Sequence, residues 1–312
     1  MSRIVTLTFS PCIDKSTAVA ALIPEKKLSC APPIFEPGGG GINVARAVRK
    51  LGGDATAIYP AGGYTGHLFN ELLQKEGVPS VVVPAQAPTR ENLVVLDQST
   101  NLQYRFGMPG TPLEPSEWMR CLEEVDRQPS VEYLVVSGSL PPGVPLDVFA
   151  RLRQWAQQRQ VRLLVDTSGP ALLEAARVGA YLLKPNLAEL ATLAGQPELP
   201  PESVGEAAQQ LVRAGTCQVL VISMGAAGAM LVTADARHHV TPPLVKRVST
   251  VGAGDSMMAG LVLALLANRP MQEVLQYGVA CGTAATLNPA TGLCRAEEVN
   301  RLLDRIQSGA SS

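Results

Sequence analysis

The sequence predicts an α/β protein with a doubly wound, mostly parallel sheet that carries helices on both faces, plus a small second β-sheet. Apolar strand-like runs alternate with helical segments along most of the 312 residues, which is the rhythm of strand–helix–strand units. This rhythm is broken at about 15–35 and 86–108, where short strand patterns occur without a crossover helix. We therefore expect one domain over 1–312, in which these two segments form a β-sheet lid.

The charge balance argues against two broad classes of function. Lys and Arg number 26 and Asp and Glu number 27, so a nucleic-acid partner and a membrane-surface partner are not expected. The six cysteines are scattered and the histidines number three, which argues against a disulfide framework, a zinc site or a histidine metal site. No signal peptide precedes the first strand-like run, and we expect a cytoplasmic protein.

The first half of the chain supplies the start of the main sheet and most of the lid. Strands are predicted over 4–9, 55–59 and 78–83, with helices from the glycines at 38–41 to Gly52 and over 66–75. Between 91 and 106 two strand patterns flank a polar turn at 98–101, which predicts a hairpin.

The second half resumes the alternation and ends in helices. Strands are predicted over 133–136, 161–165, 181–183 and 219–223, followed by a strand pair reaching about 250. Helices are predicted over 114–127, 146–160, near 170–177, from 257, over 272–287 and over 296–307. The apolar run that follows Asp255 is long enough for a buried helix and too short for a membrane span.

The stretch from Ser249 to Ser256 places small residues where that apolar helix begins. The first backbone N–H groups of a helix have no intrahelical acceptor, and glycines let a ligand approach them closely. This favours a phosphate or a developing anion, with Asp255 as the base that takes a proton from an attacking hydroxyl. The alternative at this point is an ordinary acidic residue in the first turn of a helix.

A second helix start is preceded by four glycines at 38–41, which favours a phosphate or sugar site over a flexible hinge. Asp14, after the first strand, is placed to accept sugar hydroxyls or simply to form a turn. Arg90 and Lys27, in the lid segments, are cations for a substrate phosphate or ordinary surface charges.

Later polar positions lie at the ends of predicted strands. The cluster at 137–143 and the glycine turn at 224–228 fall on the edge of an open sheet where ligands bind. Asn186 and Glu189 stand three apart at a helix start, so they are either oxygen ligands for Mg²⁺ held through water or a capping pair.

These blocks, in this order, resemble the PfkB (ribokinase-like) carbohydrate kinases. Both signatures of that family are present, one at 38–52 and one at 250–255, and the resemblance extends over nearly the whole chain. Segments 35–37, 104–106, 137–143 and 184–186 are similar to those of family members that phosphorylate fructose 6-phosphate.

The resemblance implies a ribokinase-like fold and dimerisation through the lids. It also implies transfer of the γ-phosphoryl group of MgATP to the 1-hydroxyl of fructose 6-phosphate. The product would be fructose 1,6-bisphosphate, an intermediate of glycolysis. The resemblance implies that Asp255 is the base and that the N–H groups of Gly252, Ala253 and Gly254 stabilise the transferred phosphoryl. The implied sugar-phosphate positions are Asp14, Lys27, Gly39, Asn43, Arg90, Ser139 and, across a dimer, Arg105.

The resemblance also implies the nucleotide and metal positions. The nucleotide positions are Lys184, Asn186, Ser223, Gly225, Gly228, Thr250 and Gly252. Magnesium is implied at Asn186 and Glu189, and a potassium site at Ser249, Val251, Ala285 and Asn288. The sequence departs from the family pattern at Arg247, at Leu187-Ala188 and at Gly292, of which the last bears on potassium.

Two other functions stay open. Tagatose 6-phosphate or fructose 1-phosphate would keep the chemistry and change the sugar. A sugar-phosphate-binding regulator would keep the fold and lose catalysis, although the intact Asp255 with its small neighbours argues against this.

Overall fold

The computed structural model describes residues 2–289 and 292–309, which form two sheets. The larger sheet has nine strands in the order β13-β12-β11-β10-β9-β8-β1-β4-β5. Neighbours from β5 to β11 pair in parallel, and β12 and β13 are antiparallel. The strands are β1 (Ile4–Leu7), β4 (Ala55–Ala61), β5 (Ser80–Pro84), β8 (Tyr133–Ser137), β9 (Arg162–Asp166), β10 (Ala180–Leu183), β11 (Cys217–Ser223), β12 (Ala229–Val232) and β13 (Arg237–Val240).

Ten α-helices cover the larger sheet on both faces within the described residues, as the sequence predicts. On one face lie α1 (Gly40–Lys50), α2 (Gly63–Lys75), α8 (Ala253–Leu266), α9 (Met271–Ala285) and α10 (Ala296–Gln307). On the other lie α3 (Pro115–Asp126), α4 (Val148–Arg159), α5 (Gly169–Val178), α6 (Leu187–Leu193) and α7 (Val204–Arg213).

The apolar strands of the sequence divide their side chains between two cores. Along β8, Tyr133 and Val135 join one core while Leu134 and Val136 join the other. Successive side chains of a strand point to opposite faces, so a strand buried on both faces needs a continuous apolar run. This is why these segments lack the polar alternation of a half-exposed strand.

The second sheet is formed by the segments where the alternation is broken. Its order is β3-β2-β6-β7, with β2 (Cys12–Val19), β3 (Ile34–Gly38), β6 (Arg90–Asp97) and β7 (Leu102–Phe106). The predicted hairpin is β6 and β7, which pair antiparallel around the turn at 98–101. We call this sheet the lid.

The first strand is shorter than expected, and this moves Asp14. The sequence predicts a strand over 4–9 with Asp14 just beyond its end, but β1 ends at Leu7 and Asp14 lies inside β2. There it is in register with Glu36 of β3 and Asn92 of β6. The chain leaves the main sheet early because Cys12–Val19 pairs with two lid strands.

Helix α8 lies between α1 and α9 and is buried on nearly every side, as its apolar sequence predicts. Burial of this helix fixes its first turn firmly, and that turn carries the candidate base Asp255. Within the described residues, no helix has the length and apolar character needed to cross a membrane.

Candidate active site

Two clefts meet at the first turn of α8. One has a volume of about 310 Å³ and lies under the lid, with Val251 among its lining residues. The other has a volume of about 400 Å³ and reaches Thr250, Ala253 and Gly254 from the opposite side. Both volumes suit small-molecule ligands. We call them the lid cleft and the distal cleft.

Asp255 occupies the third position of α8 and is mostly buried. Its Oδ2 accepts a hydrogen bond from Asn43 Nδ2 at 2.9 Å. Burial, reinforced by the nearby carboxylate of Asp166, raises the pKa of Asp255 to about 7, against the lowering effects of Asn43 and Lys184. A carboxyl with such a pKa is suited to exchange a proton near neutral pH.

The turn before α8 has the geometry that its glycines predict. Gly252 is the N-cap residue with φ 72°, in the left-handed region, and a Cβ there would come 2.5 Å from Leu293 Cδ2. The first intrahelical bond runs from Ser256 N to Gly252 O, so the N–H groups of earlier positions precede the helical ladder. They lie between the two clefts, where a negative group would be stabilised.

The lid cleft places polar groups from β2 and β6 opposite the glycines of α1. Asn92 Nδ2 donates to Asp14 Oδ1 at 3.0 Å, and Cys12 Sγ lies 3.4 Å from the same oxygen. Burial is the largest influence on Asp14 and raises its pKa, while these two contacts lower it. The lining includes Cys12, Asp14, Glu36, Gly39, Gly40, Asn43, Arg90, Asn92, Arg105 and Phe106.

Two arginines bring positive charge to the lid cleft. Arg90 Nη1 donates to Met108 O at 2.9 Å and Arg90 Nη2 to Ser10 O at 3.2 Å, which holds the guanidinium at the start of β6. Arg105 Nη2 donates to Thr250 Oγ1 at 3.1 Å. This bond ties β7 of the lid to the loop before α8 within one chain.

The distal cleft is lined by glycines, small residues and an apolar loop. The turn after β11 contributes Ser223, Gly225 and Gly228, and Gly228 has φ 93°. A Cβ on Gly228 would stand 1.9 Å from Val240 O, so only glycine fits there. The wall opposite is formed by Pro242, Pro243, Leu244 and Val245 and by α9 residues Val279, Gly282 and Thr283, with Thr286 just after that helix.

Lys184 lies beneath the first turn of α8. Its Nζ is 3.0 Å from Asp166 Oδ2, and it would lie 3.3 Å from a Cβ built on Gly254. Burial is the largest single influence and lowers the pKa of Lys184, but Asp166, Asp255 and Glu189 together outweigh it and the pKa is raised, so the ammonium stays charged. A buried positive charge therefore accompanies the helix N-terminus.

Asn186 and Glu189 form a reciprocal capping box at the start of α6, which was the structural alternative for this pair. Asn186 Oδ1 accepts from Glu189 N at 2.9 Å, and Glu189 Oε2 accepts from Asn186 N at 2.8 Å. An isolated bridge between Asn186 and Ser223 places the pair beside the distal cleft. In the part of the chain that is described, no group of three His, Cys, Asp or Glu side chains could hold a metal directly.

The four residues predicted for potassium lie on two adjacent segments. Ser249 N donates to Thr286 O at 3.3 Å, and Asn288 N donates to Ala285 O at 3.2 Å. Ser249, Ala285 and Asn288 are buried. Of the loop predicted at 288–292, residues 290 and 291 lie outside the described residues.

Both the sequence and the fold of this chain are similar to those of known proteins. Residues 8–298 match the pfkB family carbohydrate kinase. The chain belongs to this family. It is 46% identical over 303 residues to the ATP-dependent 6-phosphofructokinase isozyme 2 of Escherichia coli K12, covering 97% of this chain and 98% of that protein. It is 29% identical to the 1-phosphofructokinase of Bacillus subtilis 168, covering 87% of this chain and 88% of the other.

Crystal structures of phosphofructokinase-2 from Escherichia coli superpose closely on this pfkB-family kinase. A complex with fructose-6-phosphate has a TM-score of 0.93, a complex with potassium 0.94 and a tetrameric inhibited form 0.92. Each is 44% identical and covers 98% of this chain and 100% of the other.

The structure brings most of the predicted site residues of this pfkB kinase to the two clefts. Asp14, Gly39, Asn43, Arg90 and Arg105 line the lid cleft. The predicted nucleotide residues Ser223, Gly225, Gly228 and Thr250 line the distal cleft, and Lys184, Asn186 and Gly252 adjoin it as described above. Two sugar-phosphate predictions fall outside the lid-cleft lining, since Lys27 lies in an exposed loop of the lid and Ser139 is exposed after β8.

Several lining residues were not singled out from the sequence, among them Asn92 in the lid cleft and the α9 wall of the distal cleft. Asn92 follows Arg90 by two in β6, so the alternation of a strand would have placed both on one face. Val279, Gly282, Thr283 and Thr286 recur at helical spacing, which places them on one face of α9. That stripe of small residues was the available signal for the distal cleft.

Proposed function

We propose that this pfkB-family protein is an ATP-dependent kinase that phosphorylates the 1-hydroxyl of fructose 6-phosphate, with ADP and fructose 1,6-bisphosphate as products. The observation that carries the proposal is the position of Asp255, between two clefts and at a helix N-terminus, with its pKa raised to about 7. One cleft takes the sugar phosphate, the other takes the nucleotide, and the reacting atoms meet at Asp255.

Asp255 acts as the general base. Its carboxylate takes the proton of the 1-hydroxyl while the hydroxyl oxygen forms a bond to the γ-phosphorus of ATP, and the bond from that phosphorus to the leaving oxygen of ADP breaks. Asn43 holds the carboxylate from the lid cleft by donating to Oδ2. The proton passes to solvent when the product leaves.

The first turn of α8 stabilises the charge that spreads over the transferred phosphoryl. The N–H groups of Gly252, Ala253 and Gly254 lie there, and Lys184 adds a buried positive charge beneath Gly254. Two bonds hold the turn itself, from Ala253 N to Thr250 O at 3.5 Å and from Ser256 N to Gly252 O at 2.8 Å, and donors held in place in this way are suited to stabilise a developing charge.

Positive charge in the lid cleft favours a sugar that already carries a phosphate. Arg90 and Arg105 both line this cleft, and guanidinium groups match phosphate oxygens in geometry and charge. Asp14 and Asn43 are placed to bind sugar hydroxyls. The bond from Arg105 to Thr250 holds the lid against the loop before α8, which would exclude water and limit ATP hydrolysis.

Asn186 and Glu189 supply oxygen donors beside the nucleotide cleft, and this donor set suits Mg²⁺ held through water. Magnesium neutralises charge on the nucleotide phosphates when it is bound. Ser249, Val251, Ala285 and Asn288 supply the carbonyl and side-chain oxygens that potassium takes, in line with the potassium complex described for the E. coli protein.

The lid presents a surface for a second copy of the chain. Leu102, Tyr104 and Met108 are 58%, 42% and 46% exposed, and Ile34 on β3 is 62% exposed. Apolar exposure on one small sheet favours burial against an equivalent sheet, and we propose a homodimer through the lids. The E. coli relative is described in a tetrameric inhibited form, so light scattering should be used to distinguish a monomer, a dimer and a tetramer of this chain.

A phosphorus NMR spectrum of the reaction mixture tests the proposed activity. With fructose 6-phosphate and MgATP, we expect ADP and a sugar that carries two phosphomonoester signals. A matched reaction with fructose 1-phosphate tests the alternative represented by the B. subtilis relative. Sugar-phosphate binding without any new phosphomonoester signal would instead support a non-catalytic regulator.

A further inference from the structure

A buried arginine behind the lid cleft contacts the hydrogen-bond partner of Asp255. Arg46 lies on α1 and is only 2% exposed. Its Nε is 2.9 Å from Glu76 Oε2, its Nη2 is 2.6 Å from Glu76 Oε1, and its Nη1 donates to Pro37 O at 2.8 Å. Arg46 Nη1 also donates to Asn43 Oδ1 at 3.1 Å. The guanidinium is therefore held by β3 and by the residue that follows α2, and it contacts the active-site amide.

This contact decides which way the amide of Asn43 faces. A guanidinium can only donate hydrogen bonds, so it accepts no bond from an amide NH₂. Asn43 must therefore turn Oδ1 to Arg46, which leaves Nδ2 to donate to Asp255 at 2.9 Å. With the amide reversed, Asn43 Oδ1 would face the carboxylate and the two acceptors would repel each other.

We propose that Arg46 is a positioning residue for the phosphoryl-transfer reaction, which acts by holding Asn43 in the orientation that donates to the ionised form of Asp255. The inference rests on the proposed function, in which Asp255 is the base. It assigns a catalytic consequence to a side chain that does not line either cleft.

The expected consequence is a change in the protonation of Asp255. The charged and polar groups that act on Asp255 are Asp166, Asn43, Lys184 and Asp14. Burial and the two carboxylates raise its pKa, whereas Asn43 and Lys184 lower it. Loss of the Asn43 bond would remove a contact that favours the ionised base, so the pKa of Asp255 would rise further.

Arg46→Lys is the test variant because it keeps the positive charge beside Glu76 and Glu36 but shortens the side chain by one atom. The lysine amine would lie near the position of the guanidinium carbon, within reach of Glu76 and short of Asn43. Glu76→Gln is the matched control, since it weakens the same buried ion pair and retains the Arg46 bond to Asn43.

The measurement is kcat and kcat/KM between pH 5.5 and 9 with saturating MgATP, together with the melting temperature of each variant. For Arg46→Lys we expect the acid limb of kcat to move up by about one pH unit, so that kcat at pH 7 falls roughly fivefold and kcat at pH 5.5 falls roughly 10-fold. The KM for ATP should change less than about twofold, because Arg46 and Asn43 lie away from the distal cleft. Glu76→Gln should lower the melting temperature and leave the acid limb in place.

The proposal would be overturned if Arg46→Lys kept the acid limb and the kcat of the wild type. It would also be overturned if the acid limb of Glu76→Gln moved as far as that of Arg46→Lys. If Arg46→Lys does not fold, Arg46→Met combined with Glu76→Gln removes both charges of the pair and is expected to show the same displacement. Failure of the proposed function is distinguishable, because the wild-type protein would then have no kinase activity at any pH.

Discussion

Replacing Asp255 by asparagine should lower the rate of turnover and raise the stability of the folded protein. The substitution removes the base and keeps the shape of the side chain. General-base catalysis contributes about 10²- to 10⁴-fold to rate, and we expect kcat to fall by that factor. ATP binding should be largely retained, because Asp255 does not line the distal cleft.

The gain in folding stability that we expect for Asp255→Asn follows from the pKa of Asp255. The pKa is raised from 3.8 to about 7 in the folded protein. Below pH 3.8 the carboxyl is neutral in both states, and as pH rises to 7 the unfolded state ionises first, so folding becomes less favourable. At about 1.4 kcal/mol per pKa unit, the ionised carboxyl destabilises the folded protein above pH 7 by at most about 4 kcal/mol. Because Asp255 keeps some exposure and faces Lys184, we expect on the order of 2 kcal/mol.

Thermal unfolding at pH 5 and pH 8 measures this effect, with ADP release measured in parallel. Asp255→Asn should raise the melting temperature by several degrees at pH 8 and by less at pH 5. The control is Asp304→Asn, which changes an exposed carboxylate on α10. Wild-type turnover in Asp255→Asn would refute the base assignment, and an unchanged melting temperature at pH 8 would refute the buried-carboxylate argument.

Three further perturbations test separate parts of the site. In the wild-type protein kcat/KM should fall tenfold per pH unit below about pH 7, as Asp255 gains a proton; a profile flat down to pH 5 would exclude it as the titrating base. Arg90→Ala should raise the KM for the sugar phosphate by about 10-fold or more and change the KM for ATP little. An equal rise in both KM values would place Arg90 outside sugar recognition. Gly228→Ala should raise the KM for ATP and destabilise the fold by about 2 kcal/mol or more, because its Cβ would meet Val240 O at 1.9 Å. Unchanged ATP kinetics in a stable variant would contradict that geometry.

The main sheet could be predicted from sequence because its strands and helices carry strong local signals. Apolar runs such as Tyr133–Ser137 must be buried on both faces, and the buried helix α8 follows from the apolar sequence after Asp255. The turn around Gly252 was predictable for a similar reason, since small residues before an apolar helix leave backbone N–H groups accessible.

Features that depend on long-range pairing could not be predicted in this way. Asp14 was expected just beyond the first strand, either to bind sugar hydroxyls or to form a turn. Its place inside a lid strand, beside Asn92 and lining the lid cleft, depends on the pairing of β2 with β3 and β6. Arg46 would ordinarily be placed on the solvated face of α1. Its burial depends on Glu76 and Pro37, which come from other elements, so no local pattern reveals its contact with Asn43.

The central claim is that phosphoryl transfer to a phosphorylated ketohexose occurs at Asp255. The most direct test is ADP release with MgATP and equal concentrations of fructose 6-phosphate, tagatose 6-phosphate, fructose 1-phosphate or ribose, for wild type and Asp255→Asn. We expect the highest kcat/KM with fructose 6-phosphate and its loss in the variant. Preference for another sugar would contradict the assigned substrate, and no turnover with any of them would contradict the kinase itself.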